Sequence, residues 1–562
     1  MTTYAAKPWL SHYEPGVPPD VETPDMPVHA LLERSAERFP DRPALIFKGT
    51  RISYRELNQA ADAVAAALVA NGFKKGDRAS IYMPNTPQFV MIYYGILKAG
   101  GVVIATNPLY TERELEHQLA DCGAETVFVM SLYYDKLKAV QTTGKTAVRR
   151  VIVTNVKEYL PSHLKLLFTL AKEKQEGHRI ALQPGDMWFQ DFLVAGRHAP
   201  PAEVEVGRED VALLQYTGGT TGLSKGAVAL HRNLVANTLA CRAWLTNVEE
   251  GGETVLLALP LFHSYGMIVG LNFGFLVGAT LVMIVNPRDM KDVLGSINKY
   301  RPTVFPGVPA MYIAINKNEG VAAGKYDIRS IRVCLSGSAP LMAETKSRFE
   351  ELTGGKLVEA YGLTEAHVAT HANPIFGENR PGSIGLPMPG VEAKIVDPDD
   401  PGREMGVNEL GELAIKSASV MQGYWQMPVE SNNCLRDGWL YTGDIARMDA
   451  DGYFYIEDRK KDLIICGGYN VYPREVEEVL AAHPAVQEVA VAGVPDVKRG
   501  ETVKAWIVKR PGDATAGQEI IAWSIERLAA YKYPRLIEFR SELPRTTVGK
   551  VLKRDLVAEH KQ

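Results

Sequence analysis

Ser53 and Glu56 form a Ser-x-x-Glu capping pair, and behind it Leu57, Ala61, Val64, Ala65 and Leu68 recur at helical spacing. This pattern predicts an amphipathic helix that ends near Gly72. The apolar run 79–83 then reads as a strand, 86–98 as a helix, 102–105 as a strand, and 111–120 as a helix opened by Thr111-x-x-Glu114. Runs at 127–130 and 151–154 continue the strand series. Short apolar strands alternating with helices predict parallel pairing, because each crossover brings a helix over the sheet. The large first part is therefore expected to be α/β.

Periodicity weakens over 155–210, where Lys, Glu, His and Pro are enriched, and this stretch is expected to be a surface excursion. The run 265–285 carries no charge and is about the length of a bilayer span. Glycines 266, 270, 274 and 278 and Asn272 interrupt it, and Gly278-Ala279 separates a helix-like stretch from a strand-like one beginning at Thr280, so it reads as buried core. Turn clusters at 385–390 and 398–402 flank β-rich structure at 391–396 and 411–416. A smaller α+β unit of about 100 residues, a common domain size, begins near 460. In it Pro473 opens a helix with Glu475, Glu477 and Glu478 in its first turns and Val476, Val479 and Leu480 on one face, before His483-Pro484. Strands at 487–494 and 502–509 and a helix through Ile521, Ile525 and Leu528 complete the unit.

A length of 562 residues implies at least two domains. With 46% hydrophobic and 23% charged residues, the composition excludes a disordered or fibrous chain. A net charge of −4 argues against a nucleic-acid partner. The five cysteines, at 122, 241, 334, 434 and 466, show neither disulfide nor zinc spacing. The N-terminus lacks the basic start and apolar run of a secretory signal, so the expected location is cytoplasmic.

The stretch Tyr216-Thr-Gly-Gly-Thr-Thr-Gly-Leu-Ser-Lys-Gly226 carries the most chemistry. Glycines let backbone amides turn inward, and hydroxyls and one lysine add donors, which suits a polyphosphate. A Walker loop requires Gly-Lys-Ser/Thr entering a helix, whereas here Lys225 leads into a strand-like run. A glycine-threonine turn by itself reads equally as an ordinary hairpin.

The full string resembles the signature of the acyl-adenylate-forming superfamily. Further motifs agree in the family's order: Ala258-Leu-Pro-Leu-Phe-His263, Ser336-Gly-Ser-Ala-Pro340, Tyr361-Gly-Leu-Thr-Glu365, Tyr441-Thr-Gly-Asp444, Asp458-Arg-Lys-Lys-Asp462, Gly468-Tyr-Asn-Val-Tyr-Pro473 and Pro544-Arg-Thr-Thr-Val-Gly-Lys550. The stretch Asp437-Gly-Trp-Leu-Tyr-Thr-Gly-Asp-Ile445 and the motif at 458–461 are similar to those of medium- and long-chain fatty-acid CoA ligases. Departures from the family are Ser224 where proline is common, Tyr441 where histidine is frequent, and Gly467 where serine is common. They bear on chain length rather than on adenylation.

The resemblance implies an α/β N-terminal adenylation domain over 1–458 with parallel sheets and a β-rich part, a hinge at 459–462, and a small mobile α+β domain over 463–562. It implies ATP-dependent activation of a fatty acid to acyl-AMP and transfer to coenzyme A, with ATP and coenzyme A as co-substrates and magnesium as cofactor. An aryl-CoA ligase of the coumarate type and an acyl-AMP ligase serving a carrier protein are the alternatives. Room remains for a peripheral membrane contact and for a homodimer.

By the same resemblance Thr217, Gly218, Gly219, Thr220, Thr221 and Lys225 hold the β- and γ-phosphates, Thr364 touches the α-phosphate, and Glu365 ligates magnesium. Tyr361, beside Gly362, stacks on adenine, with Gly337, Ser338 and Ala339 as the other wall; a packed core tyrosine is the plainer reading. Asp444 and Arg459 meet the ribose. Lys550 bridges the substrate carboxylate and the phosphate oxygens in adenylation, Lys461 belongs to the hinge, and Gly467 and Gly468 border the pantetheine path. His263 stands at the mouth of an acyl pocket or is a buried structural histidine. Residues 304–309 with Met311 and Tyr312 resemble the wall of the carboxylate pocket.

Overall fold

Ser53 caps the helix Tyr54–Ala70 in both directions: its hydroxyl accepts from the Glu56 amide, and the Glu56 carboxylate accepts from the Ser53 amide at 2.8 Å. Thr111 and Glu114 do the same for Glu112–Cys122. The computed structural model describes residues 4–217, 224–459, 462–466, 469–496, 499–546 and 550–560, with only the backbone of 459, 469 and 470.

Two large sheets carry the N-terminal part. In the first, Met187–Trp188, Arg150–Thr154, Thr126–Met130, Arg78–Tyr82, Val102–Thr106 and Val211–Tyr216 lie side by side, all parallel, and Gly226–Leu230 closes the edge as an antiparallel hairpin partner. The second, nine-stranded sheet is parallel through Pro43–Phe47, Thr280–Met283, Thr254–Leu257, Val304–Gly307, Val333–Ser336 and Lys356–Leu363, with antiparallel strands at both edges. One apolar core runs through both. Every residue of the helix Pro87–Lys98 is buried, and a Cβ on Gly95 would fall 2.4 Å from Val64, so this helix packs backbone-close on Tyr54–Ala70.

The uncharged run behaves as core. Gly266–Asn272 is a π-helical turn, Phe273–Leu276 continues it as α-helix, and Thr280–Met283 is a buried central strand. Asn272 is satisfied inside by Tyr94, whose hydroxyl donates to its Oδ1 at 3.0 Å. Among the described residues no helix is long and apolar enough to cross a membrane.

The expected excursion at 155–210 is only partly at the surface. Met187–Trp188 joins the first sheet, and Phe189–His198 docks on Tyr54–Ala70 through buried Phe189, Phe192, Leu193 and Gly196. A Cβ on Gly196 would lie 1.9 Å from the Ala63 carbonyl oxygen. With two phenylalanines, a leucine and a glycine as its contact face, this short helix has too few apolar positions for periodicity to reveal it.

Glu392–Val396, Gly411–Lys416, Trp439–Met448, Leu435–Arg436 and Phe454–Arg459 form an antiparallel five-stranded sheet. Ile464–Cys466, five residues past Arg459, already belongs to another sheet, with Tyr469–Val471, Gly500–Lys509, Val486–Asp496 and Leu536–Arg540. The helix Pro473–Ala481 packs on this small module through Val476 and Leu480 and ties back to the preceding sheet, the Arg474 amide donating to Asp458 Oδ2 at 2.9 Å.

Candidate active site

The carboxyl ends of the parallel strands lie on one edge of each sheet, where open α/β folds bind ligands. Strand Val211–Tyr216 delivers Thr217 there, and the Gly226–Leu230 partner delivers Lys225. The Thr217 amide donates to the Lys225 carbonyl at 2.9 Å, closing the neck of the glycine-threonine loop. Gly218, Gly219, Thr220 and Thr221 lie outside the described residues. The neck is braced by Tyr216, whose hydroxyl donates to Asp121 at 2.6 Å, and by the His117 ring 3.1 Å from the Ser224 carbonyl.

Segment 422–425 runs along the outside of the Gly226 strand: the Val228 amide donates to the Gly423 carbonyl at 2.9 Å and the Trp425 amide to the Gly226 carbonyl at 2.7 Å. This pairing carries Tyr424 into the site. Its hydroxyl donates to Glu365 Oε1 at 2.7 Å, and the Lys225 ammonium lies 5.1 Å from the centre of its ring. The Met421 amide adds a bond to the Glu365 carbonyl at 2.8 Å. A cation, an aromatic face and a carboxylate thus stand together.

Glu365 and Thr364 occupy the turn Thr364–Ala366 immediately after Lys356–Leu363. The strand bulges between Tyr361 and Gly362, and a Cβ on Gly362 would sit 1.2 Å from the Val368 carbonyl oxygen, so only glycine fits. Past the turn, His367 and Val368 have φ of +49° and +99°. Positive φ at a β-branched residue is strained, and here the strain borders Glu365.

Tyr361 donates its hydroxyl to Asp444 Oδ2 at 2.5 Å. Asp444 is buried on Trp439–Met448, its amide bonded to the Thr442 hydroxyl at 3.1 Å, and its backbone pairs with Arg459 across the sheet. On the parallel neighbour of the Tyr361 strand, Val333–Ser336 ends in Gly337, Ser338 and Ala339. A Cβ on Gly337 would come within 3.0 Å of the Tyr265 ring, and Ser338 holds φ +71°. The Tyr265 hydroxyl fixes this wall by donating to the Leu335 carbonyl at 2.8 Å.

His263 follows the strand Thr254–Leu257 and is half-buried; its Nδ1 accepts from the Tyr265 amide at 3.2 Å, and burial pushes the imidazole down to about 4. It is therefore neutral near pH 7. Gln215 ties this segment to the hairpin of Val211–Tyr216 and Gly226–Leu230 through the Phe262 carbonyl at 3.0 Å. Tyr312 is fully buried, its hydroxyl bonded to the Phe305 and Leu335 carbonyls, so it props the strands rather than presenting a free group. Lys550 lies half-buried on the small module, at the neck of a loop where the Thr546 amide donates to its carbonyl at 2.8 Å. The side chain of Arg459, and Lys461, Gly467 and Gly468, lie outside the described residues.

Sequence reasoning missed Tyr424. Its only signal is Gly423-Tyr424-Trp425, two aromatic residues after a glycine in a polar stretch. His371 was also missed: buried, it stands edge-on to the Tyr361 ring at 5.9 Å.

Residues 32–425 match the family model described as AMP-binding enzyme, and 475–550 match the AMP-binding enzyme C-terminal domain. The chain is 44% identical over 556 residues to a Bacillus subtilis (strain 168) protein named long-chain-fatty-acid–CoA ligase, covering 98% of each. It is 39% identical to the Escherichia coli O157:H7 protein of the same name, again covering 98% of each. Among solved structures, an anthranilate CoA ligase in complex with anthranoyl-AMP superposes with a TM-score of 0.82 at 28% identity, covering 96% of this chain and 98% of that one. With both of its modules matched, the chain belongs to the AMP-binding enzyme family.

Proposed function

We propose that the protein is a fatty-acid–CoA ligase, long-chain in preference. A carboxylate oxygen of the fatty acid attacks the α-phosphorus of ATP, and the bond to pyrophosphate breaks. The thiolate of coenzyme A then attacks the acyl carbonyl, and AMP departs. The observation that carries this reading is the gathering of Lys225, Tyr424 and Glu365 beside the Tyr361–Asp444 pair. One group suits a polyphosphate and the other a nucleoside. Two full-length relatives bearing the long-chain-fatty-acid name support the choice of acid.

In this reading Thr217, Lys225 and the loop between them hold the β- and γ-phosphates, where charge develops in the first step. Tyr361 and the 337–339 wall enclose adenine, and Asp444 accepts from the ribose. Glu365 fits magnesium, because Tyr424 takes up Oε1 and, among the described residues, no donor is set against the hard oxygen Oε2. Bound there, the ion would neutralise phosphate charge. Lys550 serves adenylation from the small module, and rotation about 459–462 exchanges it for the Gly467-Gly468 loop before thioester formation. His263, neutral, borders the acyl entrance without transferring a proton.

The test is acid-dependent ATP–pyrophosphate exchange across short, long and aromatic acids, followed by acyl-CoA formation. Exchange greatest with long aliphatic acids, with acyl-CoA formed only when coenzyme A is added, is the expected result. Preference for aromatic acids overturns the choice of substrate, and AMP release independent of coenzyme A overturns the acceptor. Absence of exchange with every acid overturns the activity.

A further inference from the structure

Both roots of the glycine-threonine loop are tied to one helix, Glu112–Cys122. His117 and Asp121 stand four residues apart on it and so share a face. The Asp121 carboxylate accepts from the Tyr216 hydroxyl at 2.6 Å, one residue before the incoming root at Thr217. The His117 ring meets the Ser224 carbonyl at 3.1 Å, one residue before Lys225. A carbonyl only accepts, so Nε2 of His117 carries the proton and donates.

The helix is a fixed support. Thr111 and Glu114 cap its start, Gly123 ends it in the left-handed region at φ +61°, and Leu115, Leu119 and Cys122 are buried beneath it. Gln118, also buried, donates from Nε2 to the Ala105 carbonyl at 3.4 Å and ties the helix to the strand Val102–Thr106. The outgoing root needs such a support, because Ser224 does not restrain its own φ as a proline would. Besides His117, the Ser224 side chain hydrogen-bonds Tyr110, whose carbonyl accepts from the Lys136 ammonium at 2.7 Å.

Asp121 holds a second segment as well. Its carbonyl accepts from the Trp425 indole at 3.2 Å, and Trp425 adjoins Tyr424, the partner of Glu365 and Lys225. One helix face thus fixes three pieces of chain that converge on Lys225 and Glu365. The residues read as the nucleoside side hang on other elements, Tyr361 on Lys356–Leu363 and Asp444 on Trp439–Met448.

We infer that the helix Glu112–Cys122 positions the triphosphate half of the site, with His117 as the positioning residue for the Lys225 root. This rests on the reading of the loop as a polyphosphate site. His117 touches no reacting atom in this role. Its hydrogen bond holds the Ser224 carbonyl, and with it the direction in which the chain enters Lys225, so the ammonium is in place before the nucleotide arrives. Without that bond the root has to be ordered on binding. The cost falls on a ligand with β- and γ-phosphates and spares AMP, which has only the α-phosphate.

The experiment measures the affinity of the full chain for magnesium–ATP and for AMP by calorimetry, KM and kcat for ATP in pyrophosphate exchange, and thioester formation from supplied acyl-adenylate. In His117→Ala, ATP affinity should fall and KM for ATP should rise roughly three- to tenfold, the range of one neutral hydrogen bond. The affinity for AMP and the thioester step, neither of which involves the outer phosphates, should match wild type. His117→Gln, with a side-chain N–H of similar reach, should recover ATP affinity. Unchanged ATP affinity in His117→Ala, equal loss of ATP and AMP, or a His117→Gln no better than His117→Ala overturns the inference. Should His117→Ala melt early, Tyr216→Phe decides: it deletes only the hydroxyl held by Asp121, and it should weaken ATP but not AMP, whereas any other pattern overturns the inference. Wild-type protein that binds no ATP and shows no exchange with any acid is a different failure, because it removes the polyphosphate reading and the inference with it.

Discussion

Tyr424 donates its hydroxyl to Glu365 at 2.7 Å while its ring lies under the Lys225 ammonium. One side chain thereby sets the spacing between the Lys225 cation and the Glu365 carboxylate. Its two functions are separable, since the hydroxyl serves Glu365 and the ring serves Lys225.

Tyr424→Phe keeps the ring and removes the bond. A hydrogen bond to a charged group contributes about 1.5–3 kcal/mol, so kcat/KM for pyrophosphate exchange should fall roughly ten- to hundredfold. The magnesium concentration for half-maximal rate should rise, with the melting temperature little changed. Tyr424→Ala should lose more by freeing Lys225. Exchange at wild-type rate and wild-type magnesium dependence in Tyr424→Phe would show that Glu365 needs no such support. Glu365→Ala should abolish exchange at any magnesium concentration.

Tyr361→Phe separates stacking from orientation. The ring remains for adenine, but Asp444 loses the 2.5 Å bond that aims its carboxylate. KM for ATP should rise about tenfold, in line with one charged hydrogen bond, and kcat should change less. Asp444→Asn should raise KM further. A Tyr361→Phe enzyme with unchanged KM would assign that hydroxyl to packing alone.

Lys550→Ala should lose adenylation by several powers of ten, as expected for an unpaired transition-state charge. It should still convert supplied acyl-adenylate to thioester. Gly468→Trp should keep pyrophosphate release and block the thiol. Equal loss of both halves in both variants, each with a wild-type melt, would remove the domain rotation from the mechanism.

Acid should destabilise the fold through its buried histidines. Burial pushes His367 down to about 4, and His231 and His371 to about 3. All three are neutral in the folded protein at pH 5, whereas the unfolded chain, with histidines near pKa 6.5, takes up their protons. Stability is therefore full above about pH 6.5 and declines as pH falls toward about 4, each histidine adding up to ~1.4 kcal/mol per pH unit. His231 Nδ1 accepts from the Val28 amide at 3.0 Å, a role a glutamine oxygen can assume. In His231→Gln the melting temperature should drop less between pH 7 and 5 than in wild type. An identical drop would exclude His231 as a contributor.

Much of this protein was legible one residue at a time. Capping boxes at Ser53 and Thr111, the alternation of apolar strands with helices, and the strand after Lys225 all came from local pattern and appear as read. Local pattern suffices there because each feature is decided by neighbours within about four residues. Glu365, Tyr361 and Asp444 were named from motif strings, yet their mutual geometry was not in those strings. Tyr424 is 59 residues from Glu365, and Tyr361 is 83 from Asp444. Only the pairing of segment 422–425 with the Gly226 strand, and of Trp439–Met448 with its sheet neighbours, closes those gaps. The same holds for the helix Phe189–His198. A sequence records that Phe189, Phe192 and Leu193 are apolar; that they are buried against Tyr54–Ala70 was decided by tertiary packing, in which Gly196 lets the two helices approach at Ala63.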